Sequence, residues 1–187
     1  MRAVLLVIDE TTLRLLPPLR AAWALRGQQA QVPISGRNDQ RVLFGALNVS
    51  NGRRLLLRRA RACAADFQAF LRHLRQHCYR AGQPLWLLLD KAPCHVAAGS
   101  LALAAELNIT FFWLPRQCSE LNAMDHLWRH LKGDLAANRQ RPTIDALAEQ
   151  AETWILALSD QEALRKAGLL SKNCWLKNVR TNFCPRT

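Results

Sequence analysis

The chain has 187 residues, half of them hydrophobic, and a formal charge of +12 carried mostly by arginine. That length and apolar content support one domain with a real core and exclude a disordered chain. No apolar run approaches a membrane span, and the short apolar start runs into Asp9-Glu10 without the cleavage pattern of a signal peptide.

In chain order, Ala3–Ile8 reads as a buried strand, six apolar residues closed by acids. Trp23–Gln28 (WALRGQ) is less regular, and Pro33, Ser35 and Gly36 break up the stretch after it. Arg41–Val49 predicts a second strand and Arg53–Arg59 a third. Asn51-Gly52 between them predicts a two-residue type I′ turn, because both residues tolerate positive φ. Asp66–Arg80 has a helical period, with Phe67, Phe70, Leu71, Leu74 and Cys78 on one face and Gly82 and Pro84 as the stop. Leu85–Leu89 is an unbroken apolar strand suited to the centre of a sheet. Pro93–Leu107 reads as a helix and Ile109–Leu114 as a strand closed by Pro115. Glu120–Asn138 predicts a helix buried along Leu121, Met124, Trp128, Leu131 and Leu135. Thr143–Leu158 predicts another with Thr143 as N-cap, and the end from Ser171 reads as irregular, anchored by Trp175.

The order β-β-β-α-β-α-β-α-α, with an antiparallel meander first and right-handed crossovers after it, gives a mixed five-stranded sheet with helices on both faces. That is the ribonuclease H-like order of elements. The expected organisation is one domain over 1–187, with the motifs inside 4–135 and a helical, basic extension over 143–187.

Three aspartates stand out within this order. Asp9 ends the run AVLLVI, Asp90 ends LWLLL, and Asp125 lies on the helical stretch ELNAMDHLWRHLK, with 34 residues between the last two. Strands one and four lie side by side in such a sheet, so Asp9 and Asp90 emerge at neighbouring carboxyl ends, where open α/β sheets place their sites. Asp125 follows Leu121 by one helical turn and borders the buried stripe. Three converging carboxylates repel one another unless cations sit between them. Oxygen-only ligation selects Mg²⁺ or Mn²⁺ over zinc, and two such ions about 4 Å apart can serve an in-line displacement at phosphorus. Taken singly, each aspartate has an ordinary reading: a turn former or N-cap at Asp90, a helix-surface acid paired with Arg129 at Asp125. Their order and spacing together favour the metal site.

The other candidates are softer. Arginine's planar fork suits phosphate, although an arginine-favouring codon bias gives the same composition. The clusters Arg53-Arg54, Arg58-Arg59-Arg61 and Arg72-Arg75, with Arg129 and Lys132, are expected phosphate contacts. His95 and Asn122, close in sequence to the acids, are expected to support them, and Glu10 to face the other side of strand one. None of the six cysteines has CxxC spacing, so they read as reduced thiols of a cytosolic protein. His73/His77 and His126/His130, each four apart, read as helix surface.

The stretches VIDE, WALRGQ, LFGALNVSNGR, LLLDKAPCH and WLPRQCSELNAMDHLWRHLK resemble the catalytic domain of mariner-like bacterial insertion-sequence transposases, within the DDE/DDD superfamily of endonucleases. The resemblance implies a ribonuclease H-like fold and catalytic, metal-binding acids at Asp9, Asp90 and Asp125. It also implies two Mg²⁺ or Mn²⁺ ions, cleavage of DNA at transposon ends, and attack of the freed 3′-hydroxyl on target DNA. The implied setting is the bacterial cytoplasm at the nucleoid, away from membranes. The family carries helix-turn-helix modules ahead of the first strand, whereas this chain begins there. Either the recognition half is a separate polypeptide or this is a truncated copy, so sequence-specific binding to transposon ends is expected to be weak; a separate DNA-binding polypeptide or a homodimer is the expected partnership. Departures from the family pattern are Asp125 as the third acid, where the bacterial branch commonly has Glu, Lys91 after the second acid, where Asn is usual, and Cys118 and Ala123 where prolines are usual. Two alternatives stay open: an inactive, DNA-coating relative of the same fold, and a cellular ribonuclease H-like nuclease.

Overall fold

The computed structural model describes residues 3–78 and 82–178. Five strands form one sheet in the order β3-β2-β1-β4-β5. β1 (Val4–Arg14), β2 (Gln40–Asn48) and β3 (Arg54–Arg59) make the antiparallel meander, and β4 (Leu85–Leu89) and β5 (Ile109–Trp113) run parallel to β1. The mixed five-stranded topology is the one the sequence predicts.

Helices cover both faces. α1 (Ala64–Cys78), the short α2 (Pro93–Val96) and α3 (Ala98–Glu106) lie on one side. Phe67, Phe70, Leu71 and Leu74 pack there against Leu6, Ile8, Phe44, Leu85 and Leu87. α4 (Ala123–Leu131), α5 (Ile144–Ala157) and α6 (Asp160–Lys166) lie on the other, where Met124, Trp128 and Ile155 meet Leu5, Val7, Leu43 and Leu47. The period of two along β1 divides its residues between these cores: odd positions face α4 and even positions face α1.

Several boundaries differ from the sequence reading, each for a physical reason. β1 continues six residues past Ile8 because Thr11 and Leu13 keep the buried alternation and β2 pairs with it up to Arg14↔Gln40. The β2–β3 connection is not a two-residue turn. Val49–Arg53 form a five-residue connection in which the Asn48 carbonyl accepts from Gly52 N, at 2.9 Å, and the Asn48 side chain accepts from Ser50 N. Of Asn51 and Gly52, only Gly52 has positive φ (+78°). The helix expected over Pro93–Leu107 breaks at Ala97, whose ψ of 136° is extended. The one expected over Glu120–Asn138 is a 3₁₀ turn (Ser119–Leu121), then α4, then a π-helical turn (Lys132–Ala136). α6 is an element the sequence reading lacks, although Ser159-x-x-Glu162 spells the reciprocal capping box seen there. Residues 79–80 of the first predicted helix, its Cys78 side chain and residues 179–187 of the basic extension lie outside the described residues.

Two segments match their reading. Residues 15–39 are irregular, with Trp23 fully exposed. Trp175 docks its indole on the α4 entry, donating to the Leu121 carbonyl at 3.2 Å. Among the described residues, no helix is long and apolar enough to cross a membrane.

Candidate functional site

The site begins where the sheet divides. β1 and β4 pair only as far as Val7↔Leu88, while β1 runs on against β2. β4 stops at Leu89, and Leu114 N closes on the Leu89 carbonyl at 2.8 Å. Past this divergence a cleft of about 510 Å³ opens, and Asp9, Asp90 and Asp125 all line it.

Each acid arrives by a different route. Asp9 sits inside β1, two residues beyond the last β1–β4 pair, so it lies within the strand and not at its end. Asp90 is the first residue after β4, and its Oδ1 accepts from Ala92 N at 3.2 Å, which ties the turn into α2. Asp125 lies in the first turn of α4.

What brings α4 down to Asp9 is a missing side chain. Gly45 of β2 stands directly opposite Asp9 in the register. A Cβ there would lie 2.5 Å from Met124 Cε and 2.6 Å from Trp128 Cζ2. The absence of that carbon lets Met124 and Trp128, both fully buried, rest on the backbone of β2, and the first turn of α4 comes down over β1. Asn122 fixes the same helix from its end. Its side-chain oxygen caps Met124 N at 3.0 Å, and its amide donates to the Ile8 carbonyl at 3.1 Å, the residue just before Asp9.

The electrostatics are uneven. Burial, then the charges of Glu10, Asp125 and Asp90, push the Asp9 carboxyl up from 3.8 to about 8. Asp90 is held below the ordinary carboxylate range, chiefly by its hydrogen bond with His95. Asp125 is partnered by Arg129, whose guanidinium donates to Oδ2 at 2.6 Å. The ion pair expected of an ordinary helix-surface acid is thus present, at the mouth of the cleft.

His95 is 1% exposed and lies between two acids, Nδ1 at 2.9 Å from Asp90 Oδ1 and Nε2 at 3.2 Å from Glu10 Oε2. Burial works against its protonation, but the hydrogen bond with Asp90 and the close approach of Cys94 and the Glu10 carboxylate outweigh it and push the imidazole up to about 12. Glu10, Cys94 and His95 offer ligand atoms within 4.8 Å of one another, but both ring nitrogens already face carboxylates.

The arginines expected to contact phosphate scatter. Arg54 is a correction: its side chain is only 5% exposed, bonded to Asp160 Oδ1 at 2.7 Å and to the carbonyls of Gly52 and Leu158, so it holds the β2–β3 loop against α6. Arg75 likewise serves the carbonyls of Gln83, Leu107 and Asn108. Arg58 and Arg59 form looser pairs with Glu152 and Asp66 along β3, two strands from the cleft. Arg53, Arg61 and Arg72 are exposed, and Lys132 is half-buried at the π-helical turn. The cations that line the cleft are Lys91 and Arg116. Arg116 was not singled out from the sequence; its place in PRQCS, beside a Gln117 with φ of +58°, is the only local signal. The His73 and His77 rings lie tilted against each other at 4.2 Å on α1, and His126 bonds the Ala167 carbonyl, with no third metal ligand gathered at either pair among the described residues.

A meander followed by two parallel crossover strands, helices on both faces and acids at the opening of the central strands define the ribonuclease H-like architecture. The chain belongs to the DDE superfamily endonucleases: residues 4–148 match that family. It is 27% identical over 152 residues to the insertion element IS630 uncharacterized 39 kDa protein of Shigella sonnei, covering 81% of this chain and 44% of that protein. The chain therefore spans less than half the length of this curated relative. Its fold matches the mariner Mos1 paired end complex with Mg at a TM-score of 0.71 and 21% identity, over 96% of this chain and 56% of that one. The catalytic domain of Mos1 mariner transposase matches at 0.65 and 18% identity, over 98% and 84%.

Proposed function

We propose that this chain is the catalytic domain of a DNA transposase, cutting DNA at transposon ends and transferring the freed 3′-hydroxyl to target DNA with the help of divalent cations. The observation that carries the reading is the meeting of Asp9, Asp90 and Asp125 on one cleft, with Asp9 held protonated to about pH 8 largely by burial and by neighbouring acids. Such a cluster is costly unless positive charge enters it. The donors are carboxylate oxygens, which fit Mg²⁺ or Mn²⁺. Asp9, Asp90 and Asp125 would hold two such ions. When bound, they supply a lowered pKa for an attacking water and charge balance for the departing oxygen.

The chain's own residues have distinct tasks on this reading. Asn122 and the Gly45 contact hold Asp125 over β1. Lys91 and Arg116, at the cleft wall, meet the phosphates of the strand being cut, and Arg129 turns from Asp125 to phosphate as cations enter. Arg53, Arg58 and Arg59 add salt-sensitive contacts farther along the duplex. The place of work is the nucleoid.

The test is nicking of supercoiled plasmid across Mg²⁺ and Mn²⁺. Metal-dependent nicking that falls to background in Asp90→Asn supports the proposal. Nicking by that variant at the wild-type rate contradicts it.

A second reading is favoured by the 2.6 Å Asp125–Arg129 pair and by Lys91 beside Asp90, which place protein cations at the acids. In it the domain binds DNA without cutting it. Retention of DNA that ignores chelator, with no nicking under any cation, distinguishes it.

A further inference from the structure

Two consecutive acids on β1 face opposite sides of the sheet, yet both lead to the same cleft. Asp9 reaches it directly. Glu10 enters the core on the α1 side, where its Oε2 is buried with no hydrogen-bond partner of good geometry and lies 3.2 Å from His95 Nε2. The other ring nitrogen is 2.9 Å from Asp90 Oδ1. Both hydrogen bonds described for the Asp90 carboxylate, from His95 and from Ala92 N, fall on that one oxygen.

The imidazole itself has little freedom. Phe67 packs on it with centroids 4.4 Å apart, and His95 N bonds the Ala92 carbonyl at 2.9 Å at the start of α2. Ser100 of α3 bonds the Cys94 carbonyl at 2.8 Å, holding the adjoining backbone in place. The chain Glu10–His95–Asp90 thus joins β1 to the end of β4 through a fixed ring. An ordinary buried ion pair would need only one carboxylate for one imidazole; here two carboxylates flank one buried ring.

We propose that Glu10 and His95 are positioning residues for Asp90: Glu10 fixes the imidazole, the imidazole holds Oδ1, and Oδ2 is left as the atom that engages a divalent cation. This rests on the metal-site reading above and deepens it. Groups standing behind metal ligands in this way typically change metal affinity by about 10- to 100-fold when lost.

The experiment is Mn²⁺ titration of the whole chain without DNA, read by electron paramagnetic resonance or calorimetry. It compares wild type, Asp9→Asn, Glu10→Gln, His95→Asn and the Glu10→Gln/His95→Asn double variant, with thermal melts to establish folding. Glu10→Gln keeps the shape of the side chain and removes its charge, so it decides the matter even if His95→Asn does not fold. Expected is a cooperative melt for Glu10→Gln with Mn²⁺ affinity reduced by about 10- to 100-fold, nicking restored by excess Mn²⁺, and a double variant no weaker in binding than His95→Asn alone. Unchanged affinity in Glu10→Gln while Asp9→Asn binds weakly overturns this inference alone. Unchanged affinity in Asp9→Asn as well overturns the metal-site reading and this inference with it.

Discussion

The two ends of the sheet treat charge in opposite ways. At the β2–β3 loop the enclosed charge, Arg54, has an opposite partner: Asp160 at 2.7 Å, with backbone carbonyls around it. At the other end, where β1 and β4 part, four carboxylates (Asp9, Glu10, Asp90 and Asp125) gather in a chain whose net charge is +12. Arg129 and His95 answer part of that charge, and Asp9 is left high enough to hold a proton to about pH 8. The first arrangement lowers the energy of the fold. The second raises it, and a domain retains such a cluster where a ligand of opposite charge returns the difference. Charge alone does not mark a functional region; unbalanced charge at a structural opening does.

The contrast can be broken most forcefully at the acids. Asp9→Asn, Asp90→Asn and Asp125→Asn should each reduce plasmid nicking to background while leaving a cooperative melt. By contrast, Asp160→Asn, at the balanced end, should lower stability and leave nicking in place.

Two glycines sharpen the same contrast. Gly45→Ala forces a methyl into Met124 and Trp128. It should cost about 1–3 kcal/mol by chemical denaturation and also depress nicking at temperatures where the protein is folded, because α4 carries Asp125. Gly52→Ala, at φ of +78° and with its new Cβ driven against the Asp160 carbonyl oxygen, should cost about as much (~1–3 kcal/mol). Its nicking should survive wherever it is folded.

A third effect is the pH dependence of metal-free stability. Asp9 is raised from 3.8 to about 8, so between those values the folded protein holds a proton that the unfolded chain has released. Stability from this group is present below about 4 and is lost as pH rises to about 8. His95, raised from 6.5 to about 12, adds a decline of the same sign above pH 6.5. The melting temperature should fall by several degrees between pH 5 and pH 8 without metal, and Mg²⁺ should restore more of it at pH 8 than at pH 5. Equal protection at both pH values would count against cations binding at Asp9.

The smallest effect concerns DNA. Arg58→Gln should weaken plasmid binding and lower the slope of log affinity against log salt by about 1. Arg54→Gln should act through stability, not through that slope.

Much of the fold was legible because its signals are local. Leu85–Leu89 and Ile109–Trp113 are unbroken apolar runs, and Met124, Trp128 and Leu131 repeat at helical spacing. Asp9 and Asp90 stood out by their place after such runs, and Asp125 by its spacing from Asp90 and its border on the helical stripe. What the sequence hid depends on contacts across the sheet. Gly45 sits in a strand-like run, LFGALN, and nothing local says that Trp128 rests on it. Asn48 supports a five-residue connection, in place of the expected two-residue turn, through its own side chain. Arg53 and Arg54 are indistinguishable as a pair of letters, yet one faces water and the other is enclosed by Asp160 and Leu158. The direction of Glu10 followed from strand alternation. Its meeting with His95, 85 residues on, did not.

The central claim is that three side chains from β1, the end of β4 and α4 jointly bind hard cations. Counting bound Mn²⁺ by electron paramagnetic resonance tests it most directly. Two ions per chain in the wild type, with binding weakened by Asp→Asn at each of positions 9, 90 and 125, is the result expected. Wild-type binding retained in all three variants would contradict it.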